Sequence, residues 1–196
     1  MAPSPSTAVP EGYPGPDVLR LARTSIEAGL DRRQPTPPPA LADLPPALAA
    51  PGATFVTLTR DGRLRGCRGT LEPSLPLAHD VWRNAWASAF DDPRFEPLAR
   101  AELEDLAVAV SMLSALEPVE AVTEQVLLEA IEPGRHGLVI AFGERKATFL
   151  PQVWSSLPAA GDFLGELKAK AGLPQGFWSP AMQAWRYTTE TFHEAP

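Results

Sequence analysis

An α+β fold with a largely antiparallel sheet is predicted by three features of the 196-residue chain. Two segments carry hairpin signatures, amphipathic helical segments are interspersed among them, and 44% apolar content is ample for a proper core. Residues 1–13 are proline-rich with Ser and Thr between and read as a flexible tail, leaving 14–196 as a single domain. Val18, Leu21, Ala22 and Ile26 then recur along one stripe, which predicts a helix from Asp17 to Leu30. From Pro35 to Pro46 six of twelve residues are proline, which forbids helix and central strand and predicts an extended, polyproline-II-like connector.

The β-branched and aromatic run Thr54–Arg60, the turn pair Asp61-Gly62 and the returning segment Arg63 to Leu71 predict a hairpin. In Leu77–Phe90, the residues Val81, Trp82, Ala85, Trp86, Ala89 and Phe90 fall at helical spacing, with Arg83, Asn84, Ala87 and Ser88 opposite, so an amphipathic helix is expected. Asp92-Pro93 stops it, since the residue before proline disfavours helical dihedrals. A strand over Leu106–Leu113 and a short helix over Glu124–Ala130 follow. A second hairpin spans Gly137–Phe142 and Lys146–Leu150, with a Gly143-Glu-Arg tip. A helix from Asp162 to Ala171 and a closing strand from Trp185 to Phe192 complete the reading. Two hairpins each followed by a helix suggest a diverged duplication.

Charge narrows the function classes. Seventeen Lys and Arg stand against 24 Asp and Glu, a formal charge of −7 that repels nucleic acid and anionic membrane surfaces. No apolar run reaches the roughly 20 residues needed to span a bilayer. One cysteine makes no intramolecular disulfide, and the opening MAPSPSTAVPEG has neither a basic nor an apolar leader region, so the cytoplasm is the expected compartment. His79, His136 and His193 are single and far apart. No CxxC, HExxH, GxxxxGK or GxGxxG pattern occurs, so neither a metal nor a cofactor is expected.

Against this acidic background, RDGRLRGCRGT (Arg60–Thr70) concentrates four arginines, three glycines and the single cysteine. With Asp61-Gly62 as a two-residue loop, regular pairing sets Cys67 opposite Val56, Arg65 opposite Leu58 and Arg68 opposite Phe55, with Gly66 or Gly69 as the place for a bulge. Arginine forks suit carboxylate or phosphate, and flanking glycines would let a ligand approach open backbone N–H groups. Cys67 reads as an inert small hydrophobe, an unreactive lining thiol, or a nucleophile beside arginine. The arginines read equally as partners of Asp91, Asp92 or carboxylates of another lobe. Trp82, Trp86 and Phe90 read as core, Glu102, Glu104 and Asp105 as a solvated face, His79 as surface, and Trp154 and Trp178 as candidate loop anchors for a partner.

Leu64-Arg-Gly-Cys-Arg-Gly-Thr70, Asn84-Ala85 through Ala89-Phe-Asp-Asp-Pro-Arg-Phe95, Ala147-Thr-Phe-Leu-Pro-Gln-Val153, Phe163-Leu164 and Lys170-Ala-Gly-Leu173 resemble the AMMECR domain family, protein A of the AmmeMemoRadiSam system. The resemblance runs from about residue 14 to 194. It implies a larger lobe built from both chain ends, a smaller lobe from the middle, and association with Memo-like and radical S-adenosylmethionine proteins, with the LRGC-type motif as the suspected site. It hands over no activity. Arg68 departs from the aliphatic residue common in the family, and His136 from a common Asp. The leading expectation is a cleft binding a small anionic or aromatic acid, or a partner protein, through Arg65, Gly66, Arg68, Gly69, Thr70, Asp92 and Arg94. The alternatives are an enzyme with Cys67 as its catalytic nucleophile or redox thiol, and a structural adaptor.

Overall fold

The computed structural model describes residues 15–32 and 34–194, so the tail expected over 1–13 lies outside the described residues. In chain order the helices and strands are α1 (Gly15–Arg32), β1 (Pro51–Gly52), β2 (Thr54–Arg60), β3 (Arg63–Gly69), β4 (Leu75–Pro76), α2 (Leu77–Phe90), β5 (Leu106–Leu113), β6 (Glu117–Pro118), α3 (Glu124–Ala130), β7 (Gly137–Phe142), β8 (Arg145–Phe149), α4 (Ala160–Lys170), β9 (Gln183–Tyr187) and β10 (Thr189–His193). The class is α+β with antiparallel pairing, as expected.

Two compact units form. The larger takes the chain through Met112 together with the residues from Thr191 on; the smaller takes Leu113–Glu190. The larger unit holds a four-stranded sheet in the order β10-β5-β2-β3, and the smaller one in the order β6-β9-β7-β8. The single closing strand expected from Trp185 to Phe192 is in fact two. The chain breaks at Thr188, so that β9 pairs with β7 and β10 joins the sheet containing β5.

Asp61 and Gly62 both adopt positive φ, 51° and 70°, which matches the twist of the strands that they join. The register shifts between Leu58 and Thr59: Thr59 faces Leu64 but Leu58 faces Gly66, leaving Arg65 as the extra residue. Regular pairing is therefore overturned. Cys67 faces Thr57, not Val56, and Arg68 faces Val56, not Phe55, because the bulge advances every later residue by one.

In the larger unit α1 packs on α2. Val18, Leu21, Ala22 and Ile26 are buried with Val81, Ala85 and Ala89, and Ser25 Oγ donates to the Trp82 carbonyl at 2.7 Å. The smaller unit is closed by Phe163, Leu164 and Leu167 of α4, which share an apolar cluster with Leu138, Ile140 and Ala147. Trp154, one of the two candidates for an exposed anchor, is buried. Its ring stacks on Phe163 at 3.8 Å, and its Nε1 donates to the His136 carbonyl at 2.7 Å. Trp178 is part-buried against the same cluster and donates to the Val122 carbonyl at 3.2 Å.

Candidate functional site

Helix α2 meets the β2–β3 hairpin through a polar row. Asp80, Asn84 and Ser88 lie four residues apart and hence on one face, and all three are buried, which corrects the assignment of Asn84 and Ser88 to solvent. Asp80 Oδ2 accepts from the Thr54 N–H and hydroxyl, each at 2.8 Å, and from Asn84 Nδ2 at 3.0 Å; its Oδ1 accepts from the Thr70 hydroxyl at 2.6 Å. Burial pushes the Asp80 carboxyl above the usual carboxylate range, and the hydrogen bonds from Thr70 and Thr54 pull it back. Ser88 Oγ donates toward the Val56 and Asn84 carbonyls and accepts from the Arg68 N–H at 2.8 Å.

The motif glycines serve this junction. A Cβ at Gly66 would lie 2.1 Å from the Ser88 carbonyl oxygen, and one at Gly69 would lie 2.3 Å from the Phe55 ring, so protein fills the space beside both. The backbone donors are occupied too: the Cys67 N–H donates to Asp92 Oδ2 at 2.9 Å and the Thr70 N–H to the Thr54 carbonyl at 2.9 Å. Open N–H groups for a ligand beside these glycines are thus not what the motif provides.

Two of the expected ligand arginines are committed to carboxylates. Arg65 is bidentate on Glu102, Nε to Oε1 at 2.7 Å and Nη2 to Oε2 at 2.9 Å, so Glu102 is not part of a solvated face. The Arg65 guanidinium holds the Glu102 carboxyl down at about 2. Arg94 binds Asp92 through Nε at 2.9 Å and Nη2 at 2.6 Å, and these bonds, with the Cys67 N–H, hold the Asp92 carboxyl far below the usual range. Arg65 and Arg94 both approach the Phe95 ring, at 5.8 and 5.4 Å.

On the other side of Cys67 a cleft of about 840 Å³ opens between the hairpin, α2 and the proline-rich connector. Cys67, Arg68, Gly69 and Thr70 line it; Arg65, Gly66, Asp92 and Arg94 do not. Cys67 Sγ is half-buried and 3.4 Å from the Thr57 hydroxyl. Phe55, Trp82 and Trp86 supply aromatic wall, and Arg83, His79 and Asn84 join from α2. These α2 residues are the ones that sequence reasoning missed as site residues. Arg83 was taken as solvent-facing and His79 as surface, and the available signal was their helical spacing relative to Trp82 and Trp86. Arg68 and Arg83 have side chains 44% and 52% exposed, tied to Asp91 and Asp80 by contacts of 3.4 Å each.

The chain matches the AMMECR1 family model over residues 19–192. It belongs to the AMMECR1 family. A protein of Methanosarcina acetivorans is 36% identical over 178 residues, covering 90% of this chain and 89% of the relative. A protein of Thermofilum pendens is 35% identical over 193 residues, covering 90% and 88%. The crystal structure of an uncharacterised protein from Pyrococcus horikoshii superposes with a TM-score of 0.85 at 36% identity, covering 92% of this chain and 91% of that one. No helix among the described residues is long and apolar enough to cross a membrane, and no group of three or more His, Cys, Asp or Glu among them could hold a metal ion.

Proposed function

We propose that this AMMECR1-family chain is a binding module whose cleft takes a small aromatic acid. One observation carries the reading: Arg68 and Arg83, two exposed guanidinium groups with only long contacts to carboxylates, stand on the same cleft as Phe55, Trp82 and Trp86. An aromatic ring buries apolar surface against those walls, and a carboxylate or phosphate takes the arginine forks, the combination that small-molecule sites use for affinity and orientation. His79 and Thr70 add polar groups on the lining, and Cys67 forms part of the wall. Arg65 and Arg94 support the hairpin instead, through Glu102 and Asp92. We place the module in the cytoplasm, beside the Memo-like and radical S-adenosylmethionine proteins implied by the family resemblance.

The test is a thermal-shift titration with 2-naphthoate and phenyl phosphate. Either probe should raise the Tm of the wild type by mass action, and Arg83→Ala or Arg68→Ala should weaken that response about tenfold or more. Equal shifts in the wild type and both variants would remove the arginines from the site, and with them the proposal.

A further inference from the structure

The segment Gln34–Ala40 forms one wall of the cleft, through Pro35, Thr36 and Pro38. Thr36 and Pro39 are part-buried while Gln34, Pro35, Pro37, Pro38 and Ala40 are exposed, a period of three that matches a polyproline-II helix lying on a surface. That surface is α2. Trp82 Nε1 donates to the Thr36 carbonyl at 2.9 Å, and His79 Nε2 lies 3.3 Å from the Pro39 carbonyl. Donor side chains three residues apart on the helix therefore meet carbonyls three residues apart on the strap. Pro35, Pro37, Pro38 and Pro39 carry no N–H, so they cannot be held by donating a backbone hydrogen bond.

The closed arrangement is also incompletely satisfied. The Thr36 hydroxyl, on the strap, is buried with no hydrogen-bond partner among the described residues. Buried polar groups without partners raise the free energy of the state that buries them. A polyproline-II segment, in turn, keeps its form when released, so reclosing orders little chain.

We propose that Gln34–Ala40 is a gate on the cleft, latched by Trp82 and His79 and released to let the ligand in and out. This rests on the proposed acid-binding reading for what passes the gate, but the latch itself can be tested without a ligand. Cys67 is the only cysteine of the chain and lies half-buried on the cleft lining. Ellman's reagent, 5,5′-dithiobis(2-nitrobenzoate), is a bulky aromatic dianion. The Cys67 thiolate attacks one of its sulfurs, the reagent S–S bond breaks, a mixed disulfide forms, and one thionitrobenzoate leaves and is read by absorbance.

In the full chain, Trp82→Phe and His79→Ala should each speed this reaction about fivefold, the effect of losing one ordinary hydrogen bond. Pro37→Gly touches no α2 contact named above and only loosens the strap; it should speed the reaction as well. All rates should be flat across sub-denaturing urea, because opening the strap exposes little surface. Rates within twofold of the wild type in all three variants would overturn the gate, and so would rates that climb steeply with urea, which report global unfolding. A ligand screen that fails while the variants react faster would remove the acid-binding reading and leave the gate standing.

Discussion

Helix α2 follows the β2–β3 hairpin and joins it through Asp80, Asn84 and Ser88, whereas α4 follows the β7–β8 hairpin and packs beside it through Phe163, Leu164 and Leu167. Each pair is a hairpin and a helix within its own compact unit, and both bury apolar side chains, but α2 adds a row of buried polar ones. Apolar packing is non-directional, so the smaller unit closes wherever Phe163 and its neighbours fit together. Hydrogen bonds fix distance and angle, so Asp80 and Ser88 hold α2 at one position on the hairpin. The difference places the 840 Å³ cleft beside the polar junction, whose geometry is set by bonds that do not depend on filling every space.

Deleting the centre of each junction should show the contrast most clearly. Phe163→Ala removes a fully buried ring and should cost about 4 kcal/mol in urea unfolding. Asp80→Ala strands the Thr54 and Thr70 donors, while Asn84 keeps the Thr54 carbonyl, and should cost about 3 kcal/mol, mostly from groups left unpaired. Asp80→Asn should recover part of that loss, whereas no polar replacement at Phe163 should. If Asp80→Ala were nearly neutral, the polar row would be incidental to the junction.

Glycines give a sharper version. Gly66→Ala pushes a Cβ to 2.1 Å from backbone oxygen and should destabilise by about 2 kcal/mol, since Ser88 cannot yield without moving α2. Gly165→Ala in α4 meets nothing nearer than 3.8 Å and should stabilise by about 0.8 kcal/mol through helix propensity. A shared sign for the two substitutions would contradict the close approach at Gly66.

Acid should act through the carboxylates around the larger unit's hairpin. Glu102 is lowered from 4.5 to about 2 by Arg65, so its ionised form contributes stability that is complete above pH 4.5 and lost as the pH falls toward 2. Asp92, lowered further by Arg94, gives way at still lower pH. Asp80, raised by burial, works in the opposite sense, since the folded state holds its proton more tightly. Glu102→Gln should flatten the decline in unfolding free energy between pH 4.5 and 2, measured as a urea midpoint series. An unchanged slope would mean that the Arg65 pair adds nothing to the fold.

Much of this architecture is legible in the sequence. Periodicity and breakers predict α2, β5 and α3 at their observed bounds, and Asp61-Gly62 marks its turn. The bulge at Arg65 is a backbone event with no side-chain pattern to announce it, and it moved Cys67 to face Thr57. Asn84 and Ser88 look solvent-facing because polarity alone cannot tell water from Thr54, whose carbonyl is 30 residues away from Asn84 in the chain. For the same reason Arg65 read as a ligand group until Glu102, 37 positions on, stood beside it. The candidate site was half visible, as Cys67, Arg68, Gly69 and Thr70; its α2 side required knowing which helical face meets the hairpin.

Strand β3 lies at the edge of its sheet, where free N–H and C=O groups ordinarily offer a template to another chain. Here the outward groups of Cys67 are already spoken for: Asp92 takes its N–H, and Arg94 Nη2 reaches its carbonyl at 3.5 Å. Side chains from the loop after α2 thus act as a surrogate neighbouring strand. The same bonds that position the cleft therefore blunt the edge against strand-to-strand polymerisation, and a chain that lost Asp92 would expose a ready seam for aggregation.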